Sequence, residues 1–154
     1  MQRWLLIGGA ALLLVLGLGL SAAHHLYKQS RPHPVWVPIP ITPKVSMSDT
    51  DRVISELSVK ISEHDRLVRL GKELGLKNKW EMNSYDEVAN EIAKRLYVRS
   101  GDMETPMGKL PAIHVGVRGT NRDRADSYAL VYSLVYSLPP EVWSMLGVPP
   151  PKKP

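Results

Sequence analysis

The chain has 154 residues, 20 Lys and Arg against 15 Asp and Glu, a net charge of +5 and no cysteine. Lack of cysteine excludes disulfides, thiolate zinc sites and cysteine nucleophiles, and favours a reducing compartment. The charge excess sits near the ends: residues 44–138 carry 15 Lys and Arg against 14 Asp and Glu, so no broad phosphate-binding face, and no nucleic-acid partner, is expected.

Trp4 to Ala23, WLLIGGAALLLVLGLGLSAA, holds no charged residue. A helix of that length spans roughly 30 Å, the thickness of a bilayer's hydrocarbon core. Residues 4–23 therefore read as a transmembrane anchor behind a short flank at residues 1–3. The alternative is a signal peptide, with Arg3 before the apolar run and Ser21-Ala22-Ala23 at the cleavage positions; against it, the run from Trp4 to Leu20 is longer than the usual apolar region of such peptides. His24, His25, Lys28 and Arg31 make the downstream flank the more basic one, which places the C-terminal bulk in the cytoplasm. Cleavage would instead release a secreted domain. No Asn-x-Ser/Thr sequon marks the chain as a lumenal glycoprotein.

Residues 24–47 read as a juxtamembrane linker. Prolines at 32, 34, 38, 40 and 43 fix φ and remove amide donors, which predicts an extended polyproline-like spacer. His24, His25 and His33 have no carboxylate beside them and read as solvated linker residues, not metal ligands. From residue 48 the pattern turns helical. Ser48-x-x-Asp51 precedes Val53, Ile54, Leu57 and Ile61 at helical spacing. Ser62-x-x-Asp65 opens a second helix with Leu67, Leu70 and Leu74 on one face, ended by Gly75. Lys77 to Asn83 is a polar connector with room for a short helix. Ser84-x-x-Glu87 is a capping box before Val88, Ile92 and Leu96, and Ser100-Gly101 is expected to break that helix. Thr105-Pro106 suggests a further helix start through Met107 and Leu110, interrupted by Pro111. Ile113, Val115 and Val117 alternate as in a short strand, but Gly116 and Gly119 argue against a long one. A last helix runs from Asp123 through Tyr128, Tyr132 and Tyr136 to Pro139-Pro140, and residues 139–154 close the chain as a Pro-rich tail. Residues 48–138 thus read as a bundle of five or six short amphipathic helices.

No catalytic constellation stands out. His64 lies in a first helical turn between acids, and His114 lies among apolar positions as a packed or rim residue. Neither has a nucleophile at a recognisable spacing. The acids of Asp86-Glu87 and Asp123-x-x-Asp126 suit helix N-termini. No metal or cofactor site is expected, nor a small-molecule substrate, and the protein is expected not to be an enzyme. Charge is distributed unevenly, with Arg95, Arg99, Arg118, Arg122 and Arg124 in the second half and Glu56, Glu63, Asp65 and Glu73 in the first. Such a bipolar surface suits charge-complementary packing of like domains; an ordinary solvated face is the plainer alternative. Arg95, Arg99, Arg118, Arg122, Glu63 and Asp65 are the candidate interaction residues.

Three stretches resemble the death domain of the death-fold superfamily: Asp65-RLVRLGKELGL-Lys77, Tyr85-DEVANEIAKRLYVRSGDMETPMGKL-Pro111 and Asn121-RDRAD-Ser127. LVRLGKELGL is similar to the family's second helix, and Asp123-Arg124-Ala125-Asp126 to the start of its sixth. The resemblance covers about residues 49–137 and implies an all-α, six-helix antiparallel bundle without catalysis. It further implies homotypic assembly with other death-fold domain proteins, or with itself, in apoptotic or innate-immune signal transduction. With the apolar N-terminal stretch, the expectation is a single-pass membrane protein presenting a death-like domain to the cytoplasm. A small single-pass structural subunit of a larger membrane protein complex is the alternative.

Overall fold

Residues 19–41 and 47–150 are described by a computed structural model. Helix α1 covers residues 19–30 and is followed by β1 (Pro32–Pro40), α2 (Met47–Ile61), α3 (His64–Glu73), α4 (Leu76–Lys79), α5 (Tyr85–Arg95), β2 (Leu96–Thr105), β3 (Gly108–Thr120), α6 (Arg124–Tyr136) and α7 (Pro140–Leu146). The three strands form one antiparallel sheet in the order β1-β3-β2.

Several helix signals act as the sequence predicts. The Ser84 hydroxyl accepts from the Glu87 amide at 3.1 Å, and the Glu87 carboxylate accepts from the Asn83 amide at 2.9 Å, so the capping box satisfies two backbone donors at the start of α5. Gly75 follows α3 in the left-handed region at φ 63°, a conformation that costs glycine nothing. Arg66 ties helix ends together: its guanidinium donates to the Lys60 and Ser137 carbonyls, at 3.3 and 2.9 Å.

The all-α expectation is corrected by the sheet, and four local forces explain where the helical reading fails. First, the Pro-rich stretch is not a spacer over residues 32–40; it is an edge strand. β1 pairs with β3 in a register that sets Pro32 opposite Thr120 and Pro40 opposite Ala112. The Ile41 amide donates to the Pro111 carbonyl and the Asn121 amide to the Arg31 carbonyl, at 3.0 and 3.1 Å. Backbone groups alternate in direction along a strand, so odd-numbered residues of β1 bond to β3 and even-numbered ones face outward. Pro32, Pro34, Pro38 and Pro40 all take outward positions, where the missing amide donor removes no ladder bond.

Second, α5 ends at Arg95, and Leu96 is already extended at φ −64° and ψ 144°, so helix passes into β2 without a loop. Third, Thr105-Pro106 is a hairpin turn and not a helix start. Thr105 pairs with Gly108 around Pro106-Met107, and the Thr105 hydroxyl donates to the Gly108 carbonyl at 2.7 Å. Fourth, β3 runs through Gly116 and Gly119 because pairing on both sides outweighs the weak strand preference of glycine. The expected tail also changes character: Pro139 and Pro140 open α7, whose Val142, Trp143 and Leu146 are buried.

The membrane expectation is corrected as well. Of residues 4–23, only 19–23 lie among the described residues, and helix α1 continues through His24, His25 and Lys28 to residue 30. Among the described residues no helix is long and apolar enough to cross a membrane. The single-pass assignment, and the cytoplasmic placement derived from it, are not carried further.

All helices of the core pack on one face of the sheet. Odd residues of β1 and β3 share that face with even residues of β2. Ile39, Ile113 and Val115 pack with Val53, Leu57 and Ile61 of α2, Val135 of α6 and Trp143 of α7. Val35 and Val117 pack with Leu67 and Leu70 of α3, Val88 and Ile92 of α5, and Leu130 and Leu134 of α6. α6 spans both clusters.

Candidate binding face

The register that buries Val35, Ile113 and Val117 sends the even residues of β1 and β3, and the odd residues of β2, to the opposite face. That face is Pro32, Pro34, Trp36, Pro38 and Pro40 on β1; Leu110, Ala112, His114, Gly116 and Arg118 on β3; and Tyr97, Arg99, Gly101 and Met103 on β2. It carries no carboxylate: Asp102 and Glu104 alternate to the helical side.

The side chains that cover this face come from the sheet itself and lie flat upon it. A Cβ at Gly101 would sit 2.6 Å from His114 Cε1 and 2.9 Å from both ring nitrogens, so the imidazole rests on a bare backbone. A Cβ at Gly116 would run into the Tyr97 ring in the same way. These two glycines are the floor of an aromatic layer. Trp36 lies beside His114 with ring centroids 6.0 Å apart and planes 17° from parallel. The Arg99 guanidinium lies 5.8 Å from the Trp36 centroid and 5.6 Å from the Tyr97 centroid, within the range of cation–π attraction. Trp36 remains 42% exposed while His114 beneath the layer is 9% exposed.

A hydrogen bond orients the histidine. His114 Nε2 donates to the Asp102 carbonyl at 3.1 Å, and Nδ1 is buried without a partner. A carbonyl only accepts, so the proton resides on Nε2. Burial pushes the Tyr97 phenol above its usual value of 10.0, while Arg99 and Arg118 pull it the other way. The Tyr97 ring is thus held in its neutral form at neutral pH. Arg99 and Arg118 supply the fixed charge of this face.

Arg99 and Arg118 line one cavity of about 460 Å³ with Pro32, Pro34 and Tyr97. Next to it, past Gly119 and Thr120, Arg122 lines a cleft of about 620 Å³ that also includes Gln29 and Trp80. Gln29 is shared with a further depression lined by Lys28, Asn121 and Arg124. Lys28, Arg31, Arg99, Arg118, Arg122 and Arg124 are all exposed, and none makes an ion pair among the described residues. Of the acids nearby, Asp123 accepts from Arg95 and Thr120, both at 3.2 Å, and Asp126 from Lys79 at 2.8 Å, while the exposed Glu81 lines the same cleft as Arg122. A domain of nearly balanced charge therefore concentrates unneutralised cations at one end of its open sheet face.

Of the predicted interaction residues, the structure brings Arg99 and Arg118 together and sets Arg122 just beyond them. Arg95 is committed elsewhere, bonded to Glu91 and Asp123 and lying 4.6 Å over the Trp80 ring. Glu63 and Asp65 belong to the start of α3 in the helical layer, away from the open face. Sequence reasoning took Gly101 and Gly116 only as breaks in regular structure and passed over Trp36 and Tyr97 as surface residues. The available signal was the alternation of prolines around Trp36, which marks an edge strand. His114 is packed, as its apolar neighbours suggest. Among the described residues no three His, Asp or Glu side chains are grouped to hold a metal ion.

No family model, no curated protein and no solved structure matches the chain.

Proposed function

We propose that this is a non-enzymatic binding protein that uses the open face of its sheet to take an anionic polymeric partner. The observation that carries this reading is the pairing of Arg99 and Arg118 on a face without a carboxylate, floored by rings that rest on Gly101 and Gly116. An exposed surface of one sign steers and holds partners of the other sign. The rings add a rigid apolar floor that needs no side-chain ordering when a partner docks. The signalling role implied by the death-domain resemblance rested on a six-helix bundle; in its place the sheet offers a different surface and a different kind of partner.

Retention of the full chain on a polyanionic matrix such as heparin tests the reading. The double variant R99Q/R118Q is expected to elute at clearly lower salt than the parent. R52Q/R69Q, which removes the same charge from exposed positions of α2 and α3, is expected to shift elution little. Equal shifts for the two pairs would mean that net charge alone acts, and would refute a role for the sheet face.

A further inference from the structure

We infer that the anionic partner is a single-stranded nucleic acid, an inference that rests on the anionic-ligand reading above and gives it a chemical class. The open face presents two things side by side. One is a set of flat rings, Trp36 and Tyr97, with the Arg99 guanidinium within 6 Å of both. The other is a run of exposed cations that make no ion pair among the described residues; it begins at Arg118 and passes over the turn after β3 to Arg122, whose cleft also holds Asp123 and Glu81, and on to Lys28 and Arg124. Unpaired bases stack on aromatic rings and on arginine planes, while the phosphates that join them follow a basic track.

The alternatives use only part of this surface. An acidic polypeptide would pair with the arginines and leave the π faces idle. A duplex keeps its bases stacked on each other and so offers the rings of this face no base to stack on. The balanced charge of residues 44–138 does not oppose the inference. What acts on a phosphate is the local excess of cations, and it lies beside the rings.

The experiment is fluorescence anisotropy of a labelled 20-nucleotide oligothymidylate titrated with the full chain over a range of salt, with circular dichroism to confirm that each variant is folded. Binding is expected to weaken linearly in log–log form with salt. In R99Q/R118Q the slope is expected to fall by about 1.4, at roughly 0.7 for each single-strand phosphate that is no longer neutralised. Trp36→Leu is expected to weaken binding about 5- to 150-fold at an unchanged slope, the range for one stacked base; Trp36→Phe, which keeps a ring, is expected to retain most of the affinity. Two competitors separate the sources of failure: the duplex of the same length and poly-glutamate. If poly-glutamate binds as tightly through Arg99 and Arg118, and Trp36→Leu is without effect, the nucleic-acid inference fails and the anionic-partner reading stands. Duplex competing as well as single strand overturns the stacking argument. If the parent chain binds none of the three, both readings fall.

Discussion

The alternation of prolines in β1 makes a demanding prediction about single-residue shifts. Val37 occupies an odd position opposite Val115, so its amide points to β3. Val37→Pro removes that ladder bond and strands the carbonyl of Val115, a residue with 0% exposure. Leaving a buried carbonyl unpaired costs about 1–3 kcal/mol beyond the lost bond of about 1 kcal/mol, or about 2–4 kcal/mol in all. Pro34→Ala acts at an exposed, outward position where no ladder bond exists. Its cost is limited to about 0.4–1 kcal/mol, from the wider freedom of the unfolded chain. For a domain with typical stability of about 5–15 kcal/mol the first change is severe and the second minor. Urea unfolding of the full chain, followed by tryptophan fluorescence and far-ultraviolet circular dichroism, measures both. With a urea dependence of about 1–3 kcal/mol per molar, Val37→Pro is expected to lower the midpoint by about 1 M or more, and Pro34→Ala by a few tenths. Equal losses in the two variants would show that β1 does not pair in this register.

Replacing Pro34, Pro38 and Pro40 together by valine leaves the fold intact but gives the outer edge of β1 its donors back, so sedimentation velocity is expected to show concentration-dependent self-association absent in the parent. Gly101→Ala puts a methyl 2.6 Å from His114 Cε1; the ring must lift, at a cost of about 1–3 kcal/mol, and the His114 Cε1–H resonance is expected to move more than that of any other histidine. The Tyr97 phenol, raised by burial, favours the neutral form in the folded state. Its contribution to stability is therefore complete below its usual value of 10.0 and is lost as pH rises through the higher folded value. Absorbance at 295 nm during an alkaline titration is expected to lose its latest-ionising component in Tyr97→Phe.

Most helices were legible because their signals are local. Ser84-x-x-Glu87 and Gly75 mark ends through bonds and backbone angles that three or four residues decide. Of the strands only a short stretch of β3 was legible, from the alternation of Ile113, Val115 and Val117; the rest was not, because pairing partners lie far apart in the chain and the local signs pointed elsewhere. Leu96 continued the helical spacing of Val88 and Ile92, yet it pairs with Val117. Thr105-Pro106 fits a helix cap as well as a turn, and only the pairing of Thr105 with Gly108 decides between them. The prolines of β1 read as a spacer when counted and as a strand edge when their period of two is noticed. At the binding face, arginines at 99 and 118 were visible as charges, but their meeting depends on β2 and β3 lying side by side. Trp36 joins them only because β1, which precedes four of the helices in the chain before β2, lies against β3.

That return of β1 makes the pairing of greatest sequence separation in the sheet. The β2–β3 hairpin closes around a two-residue turn, whereas residue 32 must find residue 120 after nearly the whole domain has been synthesised. Contacts of such sequence separation are slow to form, because the entropy of closing the intervening chain is lost before the contact rewards it. During translation β1 emerges first and waits with its inward edge unpaired, while the prolines leave only that edge able to accept a strand. A nascent chain is thereby biased to one pairing: when β3 leaves the ribosome, it meets a strand with a single side open.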